Sequence, residues 1–219
     1  MVPAPPVPSV PPALGLLGRL RGAPQIVFDL DGTLYDTRDF ERPAIAAVVS
    51  WLRENTGEPL DGLQEALQQR RETDRHRAGL FDELLPMYGL PVALGEQCAA
   101  QFQAYSGAEL GAALCLRLEL NTLRSTGHRL ALVTNGRATL QQRKLRLLGL
   151  EKMFDVCVYC DPAKHVQLKP SAWGWEQLRT WRDGSPTAYV GDDPVDKLFA
   201  DIGRAQFVSF VFKDPRYGD

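Results

Sequence analysis

Five short apolar runs are set along this chain: residues 25–28, 129–133, 156–159, 187–190 and 206–212. A run of this length bounded by turn residues reads as a strand buried on both faces. Helical patterns separate the runs. Residues 138–148 place Leu140, Lys144, Leu147 and Leu148 along one side, with Gly149 as the stop. Residues 171–181 open just after Pro170, with Ser171 read as the N-cap. Strands alternating with helices predict an α/β fold in which a parallel sheet is covered on both faces.

Between the first and second runs lie about a hundred residues, far more than a crossover needs. No β-like alternation stands out there. Residues 43–54, 60–78 and 96–105 read as helices, so residues 39–116 are expected to form a helical insertion, a cap over the sheet edge. Within it, residues 81–85 are read as a further helix facing the site. The α/β core is expected from residues 24–38 and 117–219, behind a Pro-rich tail and short lead-in over 1–23. Hydrophobic residues at 44% and charged residues at 24% are the usage of a soluble globular chain. A net charge of −2 gives no electrostatic grip on nucleic acid or anionic membrane. No apolar stretch is long enough to span a bilayer, and Cys98, Cys115, Cys157 and Cys160 are too sparse for a disulfide scaffold. A cytoplasmic protein with reduced thiols, monomeric or homodimeric, is the expectation.

Open parallel sheets bind ligands at the carboxyl ends of their strands. Three of the five runs end there in polar turns: Asp29-Leu30-Asp31-Gly32-Thr33, Thr134-Asn135-Gly136 and Gly191-Asp192-Asp193. Asp29 and Asp31, two apart on an extended segment, point to the same side. Their mutual repulsion should raise one pKa and split the labour between attack and proton transfer. Gly32 lets the backbone turn sharply as the strand ends. Thr134, Asn135 and Gly136 offer a hydroxyl and backbone N–H groups to phosphate oxygens. Lys169 adds a cation for the nucleophile and a bound phosphate. The acidic turn at Asp192 and Asp193 suits Mg²⁺. Each piece alone has an ordinary reading, as a turn or a solvated lysine. Their occurrence together and in this order is what points to one site.

These residues resemble the haloacid dehalogenase (HAD) superfamily. VFDLDGTLYD (residues 27–36), LALVTNG (130–136), LKPSAW (168–173) and YVGDDP (189–194) are similar to its four motifs in order. The resemblance implies a Rossmann-like sheet, a helical cap inserted after the first motif, and phosphohydrolase activity. It implies that Asp29 attacks phosphorus to form an aspartyl-phosphate, while Asp31 protonates the leaving oxygen and then activates water. Thr134 with its neighbouring backbone, and Lys169, would bind the phosphoryl group. Mg²⁺ would be held by Asp29, Asp192 and the backbone carbonyl of Asp31. The family's fourth motif often carries a second carboxylate five residues beyond the first, where Lys197 stands here. Asp193 is expected to fill the role, with Asp196 the open alternative and Asp201 outside the site. Haloacid dehalogenases lack an acid at the position of Asp31, so its presence favours phosphoryl chemistry.

The remaining features have plain readings. The single CxxC pair, Cys157 and Cys160, is expected to be inert core. Arg70, Arg71, Arg75, His76 and Arg77 read as a solvated helix face, and Trp173, Trp175 and Trp181 as packing against the sheet. The leading function is a phosphatase of a small phosphorylated metabolite, with a cap that would exclude bulky substrates. A phosphomutase, or a binding protein with an idle site, stays open as an alternative.

Overall fold

The computed structural model describes residues 15–20, 22–73, 79–107, 110 and 114–213. The Pro-rich tail, and Arg75, His76 and Arg77 of the basic run, lie outside them. The chain divides into two compact units. One takes residues up to Tyr35 and from Gly111 onward, the other Asp36–Leu110, where the sequence reading placed 39–116.

The first unit is built on five parallel strands in the order β3-β2-β1-β4-β5. They are β1 (Gln25–Phe28), β2 (Arg129–Asn135), β3 (Val156–Cys160), β4 (Thr187–Gly191) and β5 (Gln206–Ser209). The expected parallel α/β sheet is therefore present. The central strands β2, β1 and β4 are buried on both faces, which is why their sequences run apolar without alternation, while the edge strands β3 and β5 are only partly buried. Val27, Ala131, Val133, Val158 and Tyr189 face one core, which includes Trp175, Trp181 and Phe199. Ile26, Phe28, Leu130, Leu132, Ala188 and Val190 alternate to the other face and are fully buried too.

The unit's helices are α1 (Leu16–Leu20), α6 (Leu114–Ser125), α7 (Ala138–Leu147), α8 (Trp173–Gln177) and α9 (Pro194–Ile202). Several of the expected boundaries differ. β5 stops at Ser209, short of the expected residue 212, because the chain beyond it leaves the ladder, with the Phe212 N–H donating to the Gly32 carbonyl (2.8 Å). β2 runs on through Thr134 and Asn135, because both pair with β3 opposite Tyr159 and Cys160. α8 stops at Gln177, not at Trp181. After it the turns tighten to bonds from Leu178 N to Trp175 O (3.1 Å) and from Trp181 N to Leu178 O (3.0 Å). Ser171 does not cap α8 at its first residue; Ala172 holds that place.

The second unit contains α2 (Arg38–Thr56), α3 (Leu63–Thr73), α4 (Leu80–Leu84) and α5 (Gly95–Ala104). Its described residues contain no strand. Ile45, Val48, Val49 and Leu52 recur at helical spacing on α2 and pack with Leu63, Leu67, Phe81, Leu85 and Cys98. α2 begins five residues before the expected Pro43. The Asp36 carboxylate accepts the backbone N–H of Arg38 (3.0 Å) and starts the helix there, so Pro43 lies inside the helix. The arginines of the basic run that are described are tied down: Arg71 to Glu41, and Arg70 to Glu83 at 3.2 Å.

Candidate active site

β1 is the point where the strand order reverses, with β2 on one side and β4 on the other. The crevice beyond the carboxyl ends of such strands is the usual ligand position in open α/β sheets. Asp29 follows Phe28 there, Thr134 and Asn135 close β2, and Asp192 follows Gly191 of β4. Chain connectivity alone thus delivers three of the expected pieces to one edge.

Lys169 joins them from the loop before α8. Its ammonium is almost wholly buried and donates to Asp29 Oδ1 (2.6 Å), Asp196 Oδ1 (2.7 Å) and the Tyr189 hydroxyl (3.0 Å). Asn135 helps to place it, since Asn135 Oδ1 accepts the backbone N–H of Lys169 (2.9 Å). Burial pushes the Asp29 carboxyl up to about 8; Lys169 opposes this, while the Asp196 and Asp31 carboxylates add to it. Lys169 itself is held well above its ordinary range, because three acidic groups outweigh its own desolvation.

Asp31 meets a different environment. Lys144 Nζ donates to its Oδ1 (2.6 Å), Gln141 Nε2 to its Oδ2 (2.7 Å), and the Tyr35 hydroxyl is also bonded to Oδ1. Burial alone would raise this carboxyl, but Lys144, Tyr35 and Gln141 outweigh it and hold it below the usual range. The pair is therefore split, with Asp29 the one raised. Gln141 also donates to Thr134 Oγ1 (3.0 Å) and to the Asn135 carbonyl (3.1 Å), tying α7 to the end of β2.

The acidic turn departs from the expectation. Asp193 is the N-cap of α9, its carboxylate accepting the N–H of Asp196 (2.9 Å). Asp196, left open in the sequence, is 1% exposed and lies at the centre of the network. Its Oδ2 accepts the backbone N–H of Asp192 (3.1 Å), and its Oδ1 meets both Lys169 and Tyr189. Oxygens of Asp29, Asp192 and Asp196 lie within 4.8 Å of one another, a spacing that fits one hard cation. Gly191 makes room for this packing, because a Cβ there would stand 2.4 Å from Asp196 Oδ2. Asp201 is exposed farther along α9.

Gly136 also differs from the expectation. Its N–H donates to the Cys160 carbonyl (2.9 Å), so that donor is already used within the fold. Sequence reasoning missed Tyr35, Gln141, Lys144 and Tyr189. A lysine set in the apolar stripe of α7 was the available signal for Lys144. Nothing in the local sequence distinguishes Tyr189 from its strand neighbours. Cys157 and Cys160 are free thiols, and burial raises both, Cys160 to about 11.

The fold has known counterparts. CbbY from Rhodobacter sphaeroides in complex with phosphate is 20% identical, with a TM-score of 0.60 over 90% of each chain. The HAD-hydrolase YfnB from Bacillus subtilis bound to magnesium is 18% identical, with a TM-score of 0.59 over 88% of this chain and 90% of that one. A 2-haloacid dehalogenase from Pseudomonas syringae is 24% identical, with a TM-score of 0.56 over 88% and 90%. At such identities the likeness is one of fold. No curated protein matches the sequence. The family model for haloacid dehalogenase-like hydrolases matches residues 25–200, the whole span from β1 into α9, and the chain belongs to that hydrolase family.

Proposed function

We propose that this hydrolase is a Mg²⁺-dependent phosphatase of a small phosphorylated metabolite, acting through an aspartyl-phosphate on Asp29. The observation that carries this reading is the second carboxylate, Asp31, fixed beside Asp29 by Lys144, Gln141 and Tyr35. Two carboxyl groups in opposed environments are what a reaction with separate nucleophile and acid/base steps requires. Carbon–halogen cleavage has no leaving oxygen to protonate. CbbY with phosphate and YfnB with magnesium are consistent with this chemistry.

Asp29 attacks phosphorus as the carboxylate, after losing to solvent the proton that burial favours in the metal-free site; the ester P–O bond breaks, and the leaving oxygen takes its proton from Asp31. Asp31 is ionised in the resting site. The approach of a phosphate dianion raises its proton affinity and loads it for this step. In the second half Asp31 takes a proton from water, which attacks the acyl phosphate and regenerates Asp29. Lys169 balances charge on Asp29 and the phosphoryl oxygens, with the Thr134 hydroxyl and the turn at Asn135 and Gly136 shaping the rest of the cradle. Asp29, Asp192 and Asp196, with the backbone carbonyl of Asp31, would hold the cation, in preference to Asp193. A Mg²⁺ there supplies screening between the nucleophile and the phosphate charge.

Phosphate release from p-nitrophenyl phosphate and a panel of phosphorylated metabolites, with Mg²⁺ or EDTA, tests the reading. Mg²⁺-dependent release that is lost in Asp29→Asn is expected. Halide release from a 2-haloacid without phosphate release, or a sugar-phosphate isomerisation without free phosphate, would sink it.

A further inference from the structure

The opposite edge of the sheet carries a second concave feature. β4 begins at Thr187 and β5 at Gln206, and the loops just before them open on a depression of about 500 Å³. Its lining includes Trp175, Glu176, Arg179, Arg182, Ile202 and Arg204. Three guanidinium groups thus share a space with one carboxylate. The volume is that of a small-molecule site. The aspartates lie beyond the other ends of the strands, so this depression is separate from the active site.

One of the arginines is fixed in place, and another stands on an unusual backbone. Arg182 is half-buried, with its guanidinium 5.0 Å from the Trp175 ring centre and its Nη1 donating to the Gly203 carbonyl (3.1 Å). Arg204 sits in the left-handed region at φ 53°, the one non-glycine residue there among those described. That conformation costs a side chain about 1 kcal/mol or more, and a glycine would avoid the cost. The side chains of Arg179 and Arg204 make no ion pair or hydrogen bond among the described residues. Three guanidinium groups gathered about a single carboxylate, Glu176, match an anion that brings several charges at once.

We propose that this depression is a binding site for a small polyanion carrying two or more phosphate groups, distinct from the catalytic site. Arg182 presents a fixed fork, the exposed Arg179 and Arg204 side chains close on the ligand beside it, and Ile202, 50% exposed, offers an apolar wall. The site does not depend on the reaction proposed for Asp29.

Calorimetric titration of tripolyphosphate into the full chain carrying Asp29→Asn, in EDTA, tests this. Arg179→Ala with Arg204→Ala should weaken binding by about tenfold or more relative to a control that removes the same charge, Arg19→Ala with Arg53→Ala. Arg179→Glu repeats the test at an exposed position without touching the left-handed backbone. A smaller loss than that relative to the control in both test proteins overturns the proposal, as does absence of binding by the Asp29→Asn protein at about 1 mM.

Discussion

Asp29 and Asp31 stand two residues apart and point to one edge of the sheet, yet their neighbours divide them. Asp29 is buried among other carboxylates with a single lysine, whereas Asp31 collects three donors of its own. Lys144 is the donor with charge. Under the proposed mechanism it holds Asp31 in position and keeps it ionised for the water step. Lys144→Met should lower kcat by about 10–100-fold while changing KM by less than about threefold. The sign of the pH effect follows from the charge removed: Asp31 binds protons more readily, so the acid limb of the rate profile moves to higher pH. Lys144→Arg should recover part of the loss. A KM rise with kcat unchanged would show that Lys144 serves substrate binding alone. Asp196 gives a parallel test. Its carboxylate and the Lys169 ammonium are both almost fully buried, and removing one partner of such a pair costs about 3–5 kcal/mol. Asp196→Asn, which keeps one acceptor, should cost about half of that in urea unfolding. It should also abolish most Mg²⁺-dependent turnover.

At the scale of elements, the strands were legible and the details that build the site less so. The runs of the three central strands matched because burial on both faces leaves no alternation to misread, whereas the run at 206–212 outlasts β5, a partly exposed edge strand that ends at Ser209. What local pattern cannot show is which side chain crosses a gap to meet another. Lys144 and Asp31 are brought together by β2 and α7 folding back on β1, and Tyr189 reaches Lys169 only because β4 pairs beside β1. Asp193 takes the capping place for a local reason. An Asp directly before Pro194 is a good N-cap, and that geometry turns its carboxylate onto the N–H of Asp196. One turn into α9, Asp196 then faces back over Gly191. Asp193→Ala should therefore cost about 1 kcal/mol of stability by denaturant unfolding, with kcat changed by less than about threefold. An equal loss of activity in Asp193→Ala and Asp196→Asn would return Asp193 to the metal site.

Across the whole molecule, the surplus of negative charge in the core unit links cation binding to protons. Asp29 and Asp196 share one buried lysine with Asp192 close beside them, and burial favours the proton on Asp29, whose carboxyl is raised to about 8. The folded protein without metal thus holds a proton on Asp29 that the unfolded chain, with its carboxyl at the ordinary 3.8, has already lost. The sign is fixed by that difference. A raised carboxyl favours the folded state at low pH, and its contribution fades as pH rises from about 4 through about 8. A cation must displace the same proton, so its affinity should increase by up to about tenfold per pH unit until pH 8 and then level off. Thermal unfolding measures both effects. In EDTA the melting temperature should fall between pH 5 and pH 8. At a fixed Mg²⁺ concentration above its dissociation constant, the stabilisation should grow over the same interval by about 1.4 kcal/mol per pH unit, a few degrees in a chain of this length. Asp29→Asn has no proton to release, and its response to Mg²⁺ should be weaker and nearly independent of pH. A pH-independent Mg²⁺ shift in the unmodified protein would mean that the cation binds away from Asp29, and the three-carboxylate cluster would lose its assignment.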